Sequence, residues 1–165
     1  MAFRVGEKVV HPAHGVGVVR EITIQRVLGH ETQYYVIETP LNELDRVMVP
    51  VANADTLGLR KVASEEIIDQ MLKILRDRHG NYFEILEDES FHRRHKEYLD
   101  KVQSGNILEV AKVYKTLYER SRERDLGLKE KFLMERAEKM IMGELSYARN
   151  ISFEKAQEVI ENGRA

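Results

Sequence analysis

Residues 5–19 read VGEKVVHPAHGVGVV, and this stretch decides how the first third of the chain folds. Its first valines favour a strand, and the residues from His11 to Gly15, which include a proline, are typical of a turn. A second β-branched run follows at once and extends to Val27. The chain therefore opens with two short strands joined by a tight turn, and Gly15 and Gly17 would allow the second strand to bend sharply.

The remainder of the first 50 residues carries further strand signals. Residues 28–31 read LGHE and predict a hairpin turn, and the aromatic and β-branched run from Gln33 to Thr39 predicts the returning strand. A shorter strand from Arg46 to Val49 is closed by Pro50. Several short strands in about 50 residues predict a small, strongly bent sheet or barrel.

From Ser64 onward the chain is dominated by good helix formers with helical apolar periodicity. Ser64, Asn106 and Ser152 are suitable N-cap residues. Each predicted helix has an apolar stripe, and the stripe of the fourth helix includes Phe132 and Leu133. Amphipathic helices with short connections predict a compact helical bundle.

The change in composition divides the chain into two domains. All three prolines lie in the first 50 residues, together with four of the ten glycines. We expect a β domain over residues 1–58, a linker at about 59–63 and a helical domain over residues 64–165.

Composition excludes several classes of protein. Lys and Arg number 26 against 28 Asp and Glu, so the chain is not strongly basic, and it contains no Cys for disulfides or thiolate metal sites. The first residues lack the apolar run of a signal peptide, and no uncharged apolar run is long enough to span a membrane. These features favour a cytoplasmic location, without contact with a membrane.

No catalytic constellation is evident. His11 and His14 are three residues apart, as are His92 and His95, but no third ligand accompanies either pair, so an ordinary turn or surface role is favoured over a metal site. No nucleophile elbow is present, and the two glycines at 15 and 17 lack the third glycine and following helix of a phosphate-binding loop. We expect no enzymatic activity, metal or cofactor.

Charge is locally concentrated. Residues 92–96 read HRRHK, with three fixed positive charges directly after Phe91, and a second basic stretch contains Lys112, Lys115, Arg120, Arg122 and Arg124. If these two helices pack side by side, they form a cationic stripe suited to phosphates, although a solvated helix face is the simpler alternative. Phe91 either packs inward, which periodicity favours, or acts as an apolar wedge for a DNA minor groove.

Three segments carry a resemblance to a known family. Residues 5–19, the VMVP motif at 47–50 and GLRKV at 58–62 resemble the CarD/CdnL family of bacterial transcription regulators. The first motif is shared with the polymerase-interacting domain of transcription-repair coupling factors. Those proteins are much longer and carry helicase motifs that are absent here, so a CarD-type protein is the better match.

The resemblance implies a fold and a function. It implies a Tudor-like β-barrel that docks on the β subunit of RNA polymerase, followed by a helical domain that contacts promoter DNA, largely independently of sequence. In the family, an aromatic wedge enters the minor groove at the upstream edge of the melted region and stabilises the open complex. A non-enzymatic, monomeric regulator that associates with the bacterial nucleoid through polymerase is expected. A polymerase-bound adaptor without DNA contact is the alternative.

The resemblance also implies polymerase-binding residues. Met48 and Pro50 fall where the family contacts polymerase, and Arg46 and Arg26 are nearby basic candidates.

The predicted DNA-binding residues lie in the basic cluster after Phe91. Arg93 and Lys96 match the family's basic contacts, and Arg94 completes the predicted set. Phe91 stands where most relatives have Trp, so the wedge would keep its apolar ring but lose the indole N–H donor.

Overall fold

The computed structural model describes residues 3–77 and 91–164; the side chains of residues 91, 92 and 164 lie outside that description. The chain forms two compact units, Met1–Val62 and Ala63–Ala165. The division between them falls within the linker that we expected at about residues 59–63. Arg60 and Lys61, which we had placed in the linker, pair with the first strand and therefore belong to the first unit.

The first unit is an antiparallel sheet, as predicted for a Tudor-like domain. Its five strands lie in the order β4-β3-β2-β1-β5. They are β1 (Lys8–His11), β2 (Gly15–Val27), β3 (His30–Glu38), β4 (Arg46–Pro50) and β5 (Arg60–Lys61). A short 3₁₀ turn (Val51–Asn53) and α1 (Ala54–Leu57) connect β4 to β5.

Two local features shape the β2–β3 hairpin. Leu28 and Gly29 form its two-residue turn with φ of 51° and 81°, the left-handed conformation that twisted hairpins require. The pairing register shifts between Val19 and Glu21, so Arg20 is the extra residue of a β-bulge. The sequence predicted the turn, but not the bulge, a feature that bends a strand and increases its twist.

Gly17 allows β2 and β3 to approach closely. A Cβ at this position would lie 2.5 Å from Ile37 Cγ2 and 2.7 Å from the Glu38 carbonyl oxygen. Ile37 and Tyr35 are fully buried in the core of the unit. The Tyr35 hydroxyl also accepts a hydrogen bond from the Phe3 N–H at 2.9 Å, which fixes the start of the chain to β3.

The second unit consists of helices packed around one apolar core. They are α2 (Glu65–Arg76), α3 (Phe91–Gln103), α4 (Ile107–Glu123), α5 (Leu128–Arg149) and α6 (Phe153–Arg164). The core joins residues of all five helices, among them Met71, Tyr98, Tyr114, Ile141 and Ile160. Within residues 3–77 and 91–164, no helix combines the length and apolar character that a membrane span requires.

Helix boundaries follow the predicted capping residues. The Ser64 hydroxyl accepts a hydrogen bond from the Ile67 N–H, and the Asn106 side chain accepts from the Leu108 and Glu109 N–H groups. Ser152 accepts similarly from the Lys155 N–H at 3.0 Å. These residues satisfy backbone donors that the first helical turn leaves unpaired.

The predicted apolar stripe of α5 was wrong at one position. Leu133 is 4% exposed, as expected, but Phe132 is 60% exposed. The buried positions near the start of α5 are Glu130, Leu133 and Ala137, which follow the helical period. Phe132 lies about 200° around the helix from Glu130 and therefore faces solvent with Leu128.

Candidate functional site

Strand β4 presents one candidate site at an edge of the sheet. Arg46, Met48 and Pro50 alternate along it and thus share one face, which we call the β4 surface. Their partners on β3 are Glu38, Val36 and Tyr34. Met48 is 45% exposed and Arg46 is exposed, while Val49, which lies between Met48 and Pro50, is buried in the core. An edge strand also offers main-chain groups to which another strand can bind.

Charges near the β4 surface are partly paired. Glu38, which lies opposite Arg46, accepts a hydrogen bond from Arg20 Nε at 2.6 Å. Arg26 lies elsewhere, near the hairpin turn, where it faces Glu31 at 3.5 Å across the strands. By register, Arg26 shares the sheet face of Tyr35 and not that of Met48. The structure thus brings together three of the four predicted residues.

The start of α3 carries the other predicted set. Arg93 and Lys96 are both exposed, and their spacing of three residues places them on the same side of the helix. Phe91 is the first residue of α3, but its side chain lies outside the described residues. The intervening Arg94 is directed differently: its side chain is only 15% exposed, and Nη2 donates to Glu130 Oε1 at 3.4 Å.

Glu130 joins three helices. This residue of α5 is 4% exposed, and its second oxygen, Oε2, faces Arg120 Nε of α4 at 3.9 Å. We call Arg94, Arg120 and Glu130 the Glu130 cluster. Arg120 Nη1 has no hydrogen-bond partner within the part of the chain that the structure describes. The charge of this buried guanidinium is offset by the Glu130 carboxylate, which faces its Nε.

The second basic stretch does not form the cationic stripe that its spacing suggested. Lys115 is 1% exposed, and its Nζ lies 3.1 Å from Glu119 Oε1 on the same helix. Arg120 belongs to the Glu130 cluster, whereas Arg122 and Arg124 are exposed. Because α4 is surrounded by other helices, some of its cations are turned inward and are paired there.

The ion pair between α3 and α5 holds the start of α5, which carries two further cations, beside the start of α3. Lys129 and Lys131 flank Glu130 in the chain and are exposed. Together with Arg93 and Lys96 they form what we call the basic corner. Sequence reasoning missed Glu130, Lys129 and Lys131, because a contact between residues 36 positions apart leaves no local signal.

The histidine pair at the β1–β2 turn has a structural role. His11 Nδ1 accepts hydrogen bonds from the N–H groups of Ala13 at 3.0 Å and His14 at 3.3 Å. Burial, reinforced by the neighbouring His14, lowers the pKa of His11 to about 4. The imidazole is therefore neutral at neutral pH and closes the turn. Among the described residues, no cluster of three or more His, Cys, Asp or Glu could hold a metal ion.

Comparisons with known proteins agree with both units. Residues 3–63 match the model of the CarD-like/TRCF RID domain, and residues 70–161 match that of the CarD C-terminal domain. The chain is also similar to the Bacillus subtilis (strain 168) protein named "Putative transcription factor YdeB". The two are 27% identical over 150 residues, which cover 91% of this chain and 94% of the relative. With more than half of its length matched by the CarD C-terminal model alone, the chain belongs to the CarD/CdnL family of transcription regulators.

Proposed function

We propose that this protein binds the β subunit of RNA polymerase through the β4 surface and stabilises promoter open complexes through the start of α3. The observation that carries the proposal is an exposed Met48 on the edge strand of a unit that matches the CarD-like/TRCF RID domain. The protein acts by binding: it shifts the promoter equilibrium only because it binds the open state more tightly than the closed one.

Polymerase docking uses both features of the β4 surface. The main chain of an edge strand can extend the sheet onto a partner strand, while Met48 buries apolar area and Arg46 supplies charge. Methionine suits such a contact because its flexible side chain adapts to the partner surface. Arg26 lies at the hairpin and would contribute only if the polymerase surface extends that far.

A substitution at Met48 tests the docking surface. Met48→Asp places a charge at the centre of the contact, so capture of the isolated β subunit should be lost while the helical unit remains folded. Leu57→Asp is the matched control, because Leu57 lies in the same unit and is exposed to a similar extent, 48% against 45%. Undiminished capture by Met48→Asp, or equal loss in both variants, would place the docking surface elsewhere.

DNA contact is assigned to the basic corner and Phe91. Arg93 and Lys96 are exposed at the start of α3, where they can neutralise phosphates, and Phe91 is positioned in the chain to supply an apolar wedge. Arg94 acts through its ion pair with Glu130 and not as a direct contact. A minor groove at the edge of melted DNA is already distorted, which lowers the cost of inserting a phenylalanine ring.

The salt dependence of binding tests DNA contact. Affinity for an upstream-fork DNA should fall steeply with salt. Arg93→Ala and Lys96→Ala should each reduce the slope of log affinity against log salt concentration by about one. Lys139→Ala is the control, because this exposed cation of α5 lies roughly 14 Å along the helix from Glu130. A complete absence of binding by the wild-type chain would instead support the adaptor without DNA contact.

A further inference from the structure

A buried carboxylate links the two helix starts that carry the basic corner. Glu130 is 4% exposed and faces Arg94 of α3 and Arg120 of α4. Arg94 is next to Arg93 in the chain and two residues from Lys96, while Glu130 lies between Lys129 and Lys131. The contact therefore joins the helix start that carries Arg93 and Lys96 to the helix start that carries Lys129 and Lys131.

Stability alone is a weak reason for such a cluster. Burying charged groups costs desolvation energy that their attraction only partly repays, and apolar side chains of similar volume often stabilise a core as well or better. A buried ion pair is better suited to fixing the register of the elements it joins, since Arg94 and Glu130 pair in one relative placement of α3 and α5.

We propose that Glu130 is a positioning residue for DNA binding, which holds the starts of α3 and α5 so that their cations contact phosphates simultaneously. This inference rests on the proposed function and identifies what arranges the DNA-binding surface. Glu130 does not touch DNA. It acts through Arg94, and Arg120 holds the carboxylate from the other side.

The direction in which Glu130→Gln changes DNA affinity distinguishes a positioning role from a simple charge effect. Glu130→Gln removes a negative charge from a surface that binds a polyanion, so electrostatics alone predicts tighter DNA binding and an unchanged or steeper salt slope. Release of Arg94 to contact DNA would act in the same direction. Positioning predicts the opposite, because the two helix starts would no longer engage phosphates together.

The experiment measures the affinity of the full chain for an upstream-fork DNA across a series of salt concentrations. We expect Glu130→Gln to weaken binding about tenfold and to reduce the slope by about one to two phosphates. Leu133→Ala is the stability control. Leu133 is 4% exposed and packs in the core beneath the same helix, so its truncation lowers stability but leaves the Glu130 cluster intact. The folded fraction of this variant should therefore keep the wild-type salt dependence of DNA binding. Equal or tighter binding by Glu130→Gln would overturn the inference.

A second variant keeps the inference testable if Glu130→Gln fails to fold. Arg94→Met breaks the link to α3 but leaves Glu130 facing Arg120. In that background, Lys131→Ala should change the slope by much less than in the wild type, since the two helices no longer act together. Full additivity of the two substitutions would mean that the cations of the two helices bind phosphates independently, and would overturn positioning. If the wild type itself does not bind the fork, the DNA-binding part of the proposed function fails as well.

Discussion

The two units arrange their candidate binding residues by different means. On β4, strand alternation places Arg46, Met48 and Pro50 on one face, and each depends only on its own strand and the neighbouring β3. In the helical unit, basic residues adjacent in sequence are separated: Arg93 is exposed, whereas Arg94 is turned inward to Glu130 on another helix.

This difference shows what sets each surface. A strand at an edge has one buried face and one open face, so period two decides exposure. A helix in a bundle has neighbours on several sides, and the exposure of a charged residue depends on which neighbour offers a partner. The β4 surface should therefore tolerate changes elsewhere in the chain, while the basic corner should be sensitive to distant substitutions.

The largest effect is expected from two adjacent residues of α5. Leu133→Ala should cost about 3 kcal/mol of unfolding free energy, because it leaves a cavity in the core. Phe132→Ser, at the exposed neighbour, should change it by less than about 0.5 kcal/mol. Urea unfolding followed by the helical circular dichroism signal measures both. Similar losses in the two variants would mean that Phe132 is buried and that helix exposure in this unit is misassigned.

A glycine-to-alanine substitution should destabilise one unit but not the other. Gly17→Ala should destabilise the β unit by about 2 kcal/mol, because the added methyl group meets Ile37 and the Glu38 carbonyl. Gly163→Ala in α6 meets only ordinary contacts at 3.8 Å and should be neutral or stabilising. Amide NMR spectra should show loss of signals confined to residues 3–62 in the first variant. Intact β-unit signals with unchanged stability would contradict the close approach of β2 and β3.

A smaller effect is expected at a helix cap. Asn106→Ala should cost about 1 kcal/mol, since it removes the acceptor for the Leu108 and Glu109 N–H groups. Asn106→Asp keeps an acceptor at this position and should retain most of the stability. The check is the unfolding free energy of the helical unit in urea; equal losses in the two variants would exclude capping as the role of Asn106.

The smallest effect concerns pH and the β unit alone. The pKa of His11 is about 4 in the folded chain and 6.5 in the unfolded chain. As the pH falls, the unfolded chain therefore binds a proton at His11 before the folded chain does, which favours unfolding. The contribution of neutral His11 is complete above about pH 6.5 and is lost progressively towards pH 4. His11→Asn retains an acceptor for the turn and cannot titrate. The β unit of this variant should lose less unfolding free energy between pH 6.5 and pH 4 than the wild type. If the unfolding free energies of the two proteins change identically with pH, a neutral His11 in the turn would be contradicted.

Much of the fold could be predicted from local patterns. The Leu28-Gly29 turn and the Ser64 and Asn106 caps each depend on a few consecutive residues, and the sequence displays them directly. The exposure of Met48 was also within reach, because Val47 and Val49 alternate with it.

The remaining features depend on contacts between distant segments. Strand β5 consists of two residues that are strand only because β1 pairs with them. Arg94 could not be distinguished from Arg93 by composition or spacing, since its inward direction depends on a glutamate 36 residues away. Sequence patterns therefore located the basic corner at the start of α3, but not the α5 lysines that complete it.

The most direct test of the account is the lifetime of a promoter open complex formed by RNA polymerase with the wild-type chain or with Phe91→Ala. We predict a several-fold shorter lifetime with Phe91→Ala, close to that of polymerase alone, while capture of the β subunit is unchanged. An unchanged lifetime with a stably folded variant would contradict the claim that the start of α3 stabilises open promoter DNA.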